Sequence, residues 1–161
     1  MSTIALIQSI GVFTLACPFF RPTRRSEDAS FLHPLRLPLG GHWEGHCCAP
    51  GHEGAQLSSD ELKQCNLGYA LNCTRLPSER SSDAVRFSMI RENGAQLLLR
   101  FVCEKNYRPA GDGVLEYDST HALWVSAHSD PQIQKMAECY LQAYRSRKNP
   151  SLVDSTSSTK P

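Results

Sequence analysis

Residues 83–104 read DAVRFSMIRENGAQLLLRFVCE, and the fold class turns on them. Val85, Phe87 and Met89 fall on one face of an extended chain, and Leu97, Leu99, Phe101 and Cys103 on one face of another. Alternation of this kind is the period of a half-buried strand. The two runs are joined by a polar, glycine-containing segment, so they predict a hairpin. A two-residue loop, Asn93-Gly94, would set Met89 opposite Leu98 and mix the faces. A three-residue loop, Glu92-Asn93-Gly94, sets Met89 opposite Leu97 and Phe87 opposite Leu99, with Gly94 in the left-handed region that such loops require. The expectation is the three-residue loop with a bulge.

Working outward, GVLEYD (113–118) and HALWVSAH (121–128) read as a second hairpin turning near Ser119-Thr120. SDPQIQKMAECYLQAYRSRK (129–148) reads as a helix, with Ser129 or Asp130 as cap and Pro131 in its first turn. Its apolar stripe is Ile133, Met136, Ala137, Tyr140 and Tyr144. The basic residues at its end suit the negative pole of a helix. Upstream, LSSDELKQCNLGYA (57–70) predicts a short helix. Ser58 and Glu61 form a capping box, and Gly68 is its stop. Cys65 then lies in its last turn and Cys73 in the loop beyond.

Residues 18–56 are rich in Pro and Gly and read as loops. A loop region of this length inside a compact domain calls for a function or an internal tie. The reading is a single α+β domain over residues 1–148. It has an antiparallel sheet of about four strands in two hairpins, a C-terminal helix, and a long cysteine-containing N-terminal loop region. Residues 149–161 form a polar tail expected to be disordered.

The 161 residues carry a net charge of +1, with 40% hydrophobic and 20% charged residues. That balance is ordinary for a globular protein and gives no global field toward nucleic acid. Arg21, Arg24 and Arg25 are followed at once by Glu27 and Asp28, so a solvated loop is expected there and a nucleic-acid partner is not. There is no phosphate-binding glycine loop and no Gly-x-Ser-x-Gly elbow, so a binding role is expected over an enzymatic one. The apolar run IALIQSIGVFTLA (4–16) is too short to span a bilayer and has no basic residue before it. A buried element in a cytoplasmic protein is therefore expected. The alternative is an exported lipoprotein anchored at Cys17, since TLAC faintly matches a lipoprotein cleavage box.

Seven cysteines are many for this length. Cys103 lies on the inward face of its strand and Cys139 beside the helix stripe, so both are expected as buried core thiols. Cys17, Cys47, Cys48, Cys65 and Cys73 lie in loops or at an element end, beside Pro, Gly or Asn. Neighbouring side chains diverge, so Cys47 and Cys48 do not easily serve one metal. Cys17, Cys65, Cys73 and one of that pair make four thiolates, the number that completes a tetrahedral zinc or an iron–sulfur cluster. The gaps are 29, 17 and 7 residues, with no C-x2-C pair of the kind zinc knuckles use. Scattered ligands and the Cys17-Pro18 step favour an iron–sulfur cluster, with zinc as the alternative. His42, His46 and His52 bracket Cys47 and Cys48 and form a rival zinc or nickel set. The plainer reading of those histidines is a solvated loop.

The segments CPFFRPTRR, FLHPLRLPLGGHWEGHC, CNLGYALNCTRLP, DAVRF and LEYD resemble a group of small bacterial proteins of uncharacterised function. The shared motifs are Cys-Pro-x-Phe, Leu-Pro-Leu-Gly…Trp-x-Gly-x-Cys and Cys-Asn-x-Gly-Tyr-Ala…Cys, spread over residues 17–145. The resemblance implies Cys17, Cys47, Cys65 and Cys73 as the four ligands, with Cys48 incidental. It implies no particular reaction. The expected function is a small metal-binding protein, iron–sulfur in type, in electron transfer or as an accessory or sensor module with a protein partner. A structural or interaction domain with a zinc staple is the alternative.

Overall fold

The computed structural model describes residues 16–27, 37–67 and 73–150. Its strands are β1 (Phe20–Arg25), β2 (Trp43–Cys47), β3 (Ala55–Gln56), β4 (Ala84–Asn93), β5 (Gln96–Lys105), β6 (Arg108–Asp118) and β7 (Leu123–Ser126). Helix α1 (Ser59–Leu67) lies between β3 and β4, and α2 (Pro131–Lys148) closes the described chain. The strands form two antiparallel sheets, one ordered β1-β2-β3 and one β4-β5-β6-β7. The architecture is α+β with a C-terminal helix, as the patterning implied.

In the β4–β5 hairpin the predicted faces hold and the predicted register does not. Asn93 pairs with Gln96, so the loop is the two residues Gly94-Ala95, with Gly94 at φ 58. The bulge lies inside β4, between Met89 and Arg91, so Met89 faces Leu99 and Phe87 faces Phe101. Placing the extra residue at Ile90, which is 51% exposed, keeps both apolar rows inward. It also puts glycine first in the loop, where a type II′ turn needs a positive φ. β6 begins five residues before the predicted Gly113, at Arg108. Asn106 and Tyr107 turn into it with φ 50 and 62, the type I′ pattern, which asparagine adopts readily and tyrosine rarely. Gly113 masks the strand in sequence but has a packing reason. A Cβ there would stand 2.7 Å from the Phe101 ring.

The larger correction concerns residues 18–56, which hold β1, β2 and β3 where loops were expected. β1 is an edge strand, and Pro22 lies beside its register shift. An edge or a bulge is where a strand tolerates the missing N–H of proline. In β2 the apolar residues Trp43 and Cys47 point inward, with Gly45 between them on the same face. A Cβ on Gly45 would stand 2.1 Å from the Arg21 carbonyl oxygen and 2.8 Å from the Phe20 ring. Trp-x-Gly-x-Cys is therefore a strand whose inward glycine leaves room for Phe20. The Arg24 guanidinium pairs with Glu44 across this sheet, so the basic cluster sits on a strand.

Asp130 caps α2 by accepting the Gln132 N–H at 2.8 Å, and Pro131 follows it. Ile133, Met136 and Ala137 are buried as expected, but the stripe continues through Cys139, Leu141 and Ala143. Tyr140 and Tyr144 stay half-buried because their hydroxyls bond to β4. Tyr140 Oη accepts the Met89 N–H at 3.1 Å, and Tyr144 Oη donates to Glu92 at 2.8 Å. The wider stripe follows from two-sided packing. One side meets the four-stranded sheet. The other meets β1 and the turn Leu37–Gly40, where Arg147 donates to the Gly40 carbonyl and Gln132 to that of Phe20. One buried cluster joins Phe20, Leu39 and Trp43 to Val85, Leu99 and Met136.

Among the described residues no helix is long and apolar enough to cross a membrane. The expectations for residues 4–15, for the Gly68 stop and for the tail from 151 lie outside the described residues.

Candidate functional site

The sequence places Cys17 just before β1, and Pro18 turns the chain there. The Phe20 N–H closes the turn onto the Cys17 carbonyl at 3.1 Å, with proline at the position a β-turn favours. Cys47 ends β2 directly opposite Phe20. Cys65 lies in the last turn of α1, whose capping box forms as expected. Ser58 N–H donates to Glu61 at 2.7 Å and Glu61 N–H to Ser58 Oγ at 3.3 Å. Cys73 opens a turn closed by the Leu76 N–H at 3.2 Å.

These four segments meet. Cys17, Cys47, Cys65 and Cys73 line one pocket. Two main-chain hydrogen bonds tie its walls: Cys17 N–H to the Cys65 carbonyl at 3.2 Å, and Cys48 N–H to the Phe19 carbonyl at 2.7 Å. Cys17 and Cys47 are buried, while Cys65 and Cys73 are partly open. The other walls are mostly apolar, with Phe19, Phe20, Leu57 and Leu76 among them. Glu61 and Arg75 also line the pocket and pair with each other at 2.9 Å.

The sulfurs face donors and cations. Ala49 N–H donates to Cys47 Sγ at 3.4 Å. Cys17 is held below its ordinary value, chiefly by the hydrogen bond with Cys65. Burial opposes that shift, and the backbone N–H groups of Phe19 and Phe20 and the charge of Arg80 add to it. Cys65 is pushed far up, first by that same hydrogen bond, then by burial, then by the other thiols. The two thiols are thus unequal, with Cys17 giving up its proton more readily than Cys65. Cys47 is raised, chiefly by burial, against the Ala49 N–H and the charge of Arg75.

The remaining cysteines stand apart from the pocket. Cys48, beside Cys47, does not line it. Cys139 is buried on α2, and burial pushes its thiol up to about 12. Cys103 is half-buried against the core, raised by burial while the Ser82 hydroxyl bonds it. All seven are free thiols. None of His42, His46 and His52 lines the pocket. Among the described residues no three His, Cys, Asp or Glu side chains converge tightly enough to hold a single metal ion as they stand.

Four thiols on one hollow are the donor type that metal–thiolate groups use. Four soft ligands surround an apolar hollow, N–H groups point at two of the sulfurs, and two guanidinium groups lie within range of the negative charge that thiolates bring. Sequence reasoning missed Arg75, Arg80 and Asn66. Asn66 alone left a signal, as the residue after Cys65 in a motif whose asparagine had no stated role. Compared with protein-family models, curated proteins and solved structures, the chain shows no match.

Proposed function

We propose that this protein binds an iron–sulfur cluster through Cys17, Cys47, Cys65 and Cys73, and serves in electron transfer or as a sensor or accessory module. The observation that carries the reading is the single pocket shared by four thiols from four separate segments. The resemblance to the group of small bacterial proteins implies the same four residues. A zinc ion held at about 2.3 Å by each sulfur draws all four together. The four ligands come from scattered segments with no C-x2-C pair of the kind zinc knuckles use, which favours the cluster. N–H donors to the sulfurs, an apolar surround and limited exposure are what set the potential of such a group. A lipoprotein anchored at Cys17 gains nothing from the fold. Ala16 is fully buried and bonded in both directions to Val85 at 2.8 and 2.9 Å, and cleavage before Cys17 would remove those bonds.

The test is anaerobic purification, absorbance at about 400 nm, and iron, sulfide and zinc analysis of one sample. Iron and sulfide are expected together. They should be lost in Ser variants of the four pocket cysteines and kept in Cys48→Ser and Cys103→Ser. Zinc instead would turn the protein into a stapled interaction domain. No metal under these conditions would overturn the reading.

A further inference from the structure

Within the pocket the four thiols are not equivalent, because Cys17 and Cys65 form a pair. Their main chains are joined at 3.2 Å through the Cys17 N–H and the Cys65 carbonyl, and both residues line the same pocket. A direct main-chain bond brings two residues to the separation that a disulfide spans. Cys47 has a different local partner, the Ala49 N–H, and Cys73 opens its own turn. We propose that Cys17 and Cys65 are an oxidative modification site, closing a disulfide across the pocket when a peroxide meets the metal-free protein. This rests on the reading of the pocket as a metal site, and it assigns that site an oxidant-responsive state.

The chemistry balances with one peroxide. A thiolate of the pair attacks the peroxide, the O–O bond breaks, an S–O bond forms and water leaves after protonation. The second thiol attacks the sulfenic sulfur, the S–S bond forms, the S–O bond breaks and a second water leaves. Two thiols and one hydrogen peroxide give one disulfide and two waters. With Cys17 and Cys65 joined, two of the four ligands are withdrawn. Metal binding and the disulfide therefore exclude each other, and each state protects against the other. Apolar walls and the buried position of Cys17 slow exchange with outside thiols, so the crosslink is expected to form within the chain.

The experiment uses the full chain, stripped with a chelator, treated with hydrogen peroxide, alkylated and mapped by mass spectrometry without reduction. The expected result is a peptide linked through Cys17 and Cys65, with two of seven thiols lost to alkylation and Cys48→Ser behaving as wild type. The metal-loaded chain should form that link at least tenfold more slowly. A link between other cysteines, or sulfinic acid with no 17–65 link, overturns the proposal. Metal analysis before stripping keeps the two readings apart. A 17–65 link in a chain that never held metal removes the metal site and the exclusion between the two states but leaves the pair. Metal without the link removes the pair and leaves the site.

Discussion

Asn66 accepts the main-chain N–H of Trp43 on its side-chain oxygen at 2.9 Å and returns its amide N–H to the Trp43 carbonyl, also at 2.9 Å. The same amide group donates to the Leu62 carbonyl at 2.8 Å. One buried side chain, 1% exposed, thus fastens the last turn of α1 to the first residue of β2. Its neighbour Cys65 is thereby brought to the pocket that Cys47 enters from the far end of β2. The short helix has only nine residues, too few to be stable alone. Its position depends on this clamp and on the packing of Leu62.

Replacing Asn66 with Ala leaves the buried groups of Trp43 without their partner. An unsatisfied buried polar group costs about 1–3 kcal/mol, which for a chain of this size lowers Tm by roughly 2–12 °C, at about 2–4 °C per kcal/mol. The loss of metal to a chelator should also quicken, because Cys65 is no longer held in place. Calorimetry and a chelation time course check both. An unchanged Tm would show that α1 is held by its apolar contacts alone.

Gly45 and Gly111 offer a matched comparison. A methyl on Gly45 meets the Arg21 carbonyl oxygen and the Phe20 ring, whereas one on Gly111 meets nothing within 4 Å. Gly45→Ala must push β1 off β2 and should cost about 3 kcal/mol or more, with Gly111→Ala within about 0.5 kcal/mol of wild type. Urea unfolding of the two variants measures it. Because β1 follows directly from Cys17, Gly45→Ala should also lower metal content. Equal stability of the two variants would contradict the tight approach of β1 to β2.

How far the sequence could be read follows from where its periodicity is clean. β4 and β5 alternate without Gly or Pro, so their faces were legible, and only the bulge at Ile90 escaped. A bulge inside a strand and one in the loop leave the same apolar rows inward, so pattern alone does not separate them. β1 and β2 were missed because Pro22 and Gly45 carry loop signals. Their meaning as an edge residue and a space for Phe20 appears only in the pairing. The four pocket cysteines could be sorted from Cys103 and Cys139 by period, since those two lie on or beside apolar faces. Arg75 and Arg80 lie in a segment with no period, and their nearness to the sulfurs is a tertiary fact.

Asp83 makes the fold sensitive to acid. Its side chain is 1% exposed. Burial works against its charge, but the Asn106 N–H at 2.8 Å and the Arg80 guanidinium outweigh burial and hold the carboxyl below its ordinary value. In the unfolded chain an aspartate titrates at about 3.9. The folded value is the lower one, so the unfolded state takes up the proton first as pH falls. The stabilisation is complete above the unfolded value and is lost as pH drops through the folded one. Asp83→Asn should cost about 3 kcal/mol at neutral pH, by leaving Arg80 without its counter-charge. The gap to wild type should narrow at about pH 3 and below. A gap that stays constant across this range would assign the loss to packing and not to charge.

Metal and fold should be coupled, but over a smaller region than the glycine and proline content of residues 18–56 implies. Phe20, Leu39 and Trp43 are fully or nearly fully buried, so β1, β2 and the turn at Leu37–Gly40 are held by packing whether or not metal is bound. The pocket walls have fewer such anchors: beyond Phe20 and Ala49 their apolar residues Phe19, Leu57 and Leu76 are only partly buried. The turn from Cys17 to Phe20, the chain after Cys47, the end of α1 and the turn from Cys73 to Leu76 meet at the four sulfurs, two main-chain bonds and these side chains. Thiolate ligation across them contributes its binding free energy to folding, and long loops lie between the ligands. Stripping the metal, or changing Cys65 to Ser, should raise hydrogen exchange at residues 17–19, 47–55, 62–66 and 73–76. Protection in β4, β5, β6 and α2, whose residues make up most of the buried cluster, should change little. Exchange mass spectrometry on the loaded and stripped protein distinguishes these segments. Equal protection of the pocket walls in both forms would mean that packing alone holds them and that the thiols carry no structural metal.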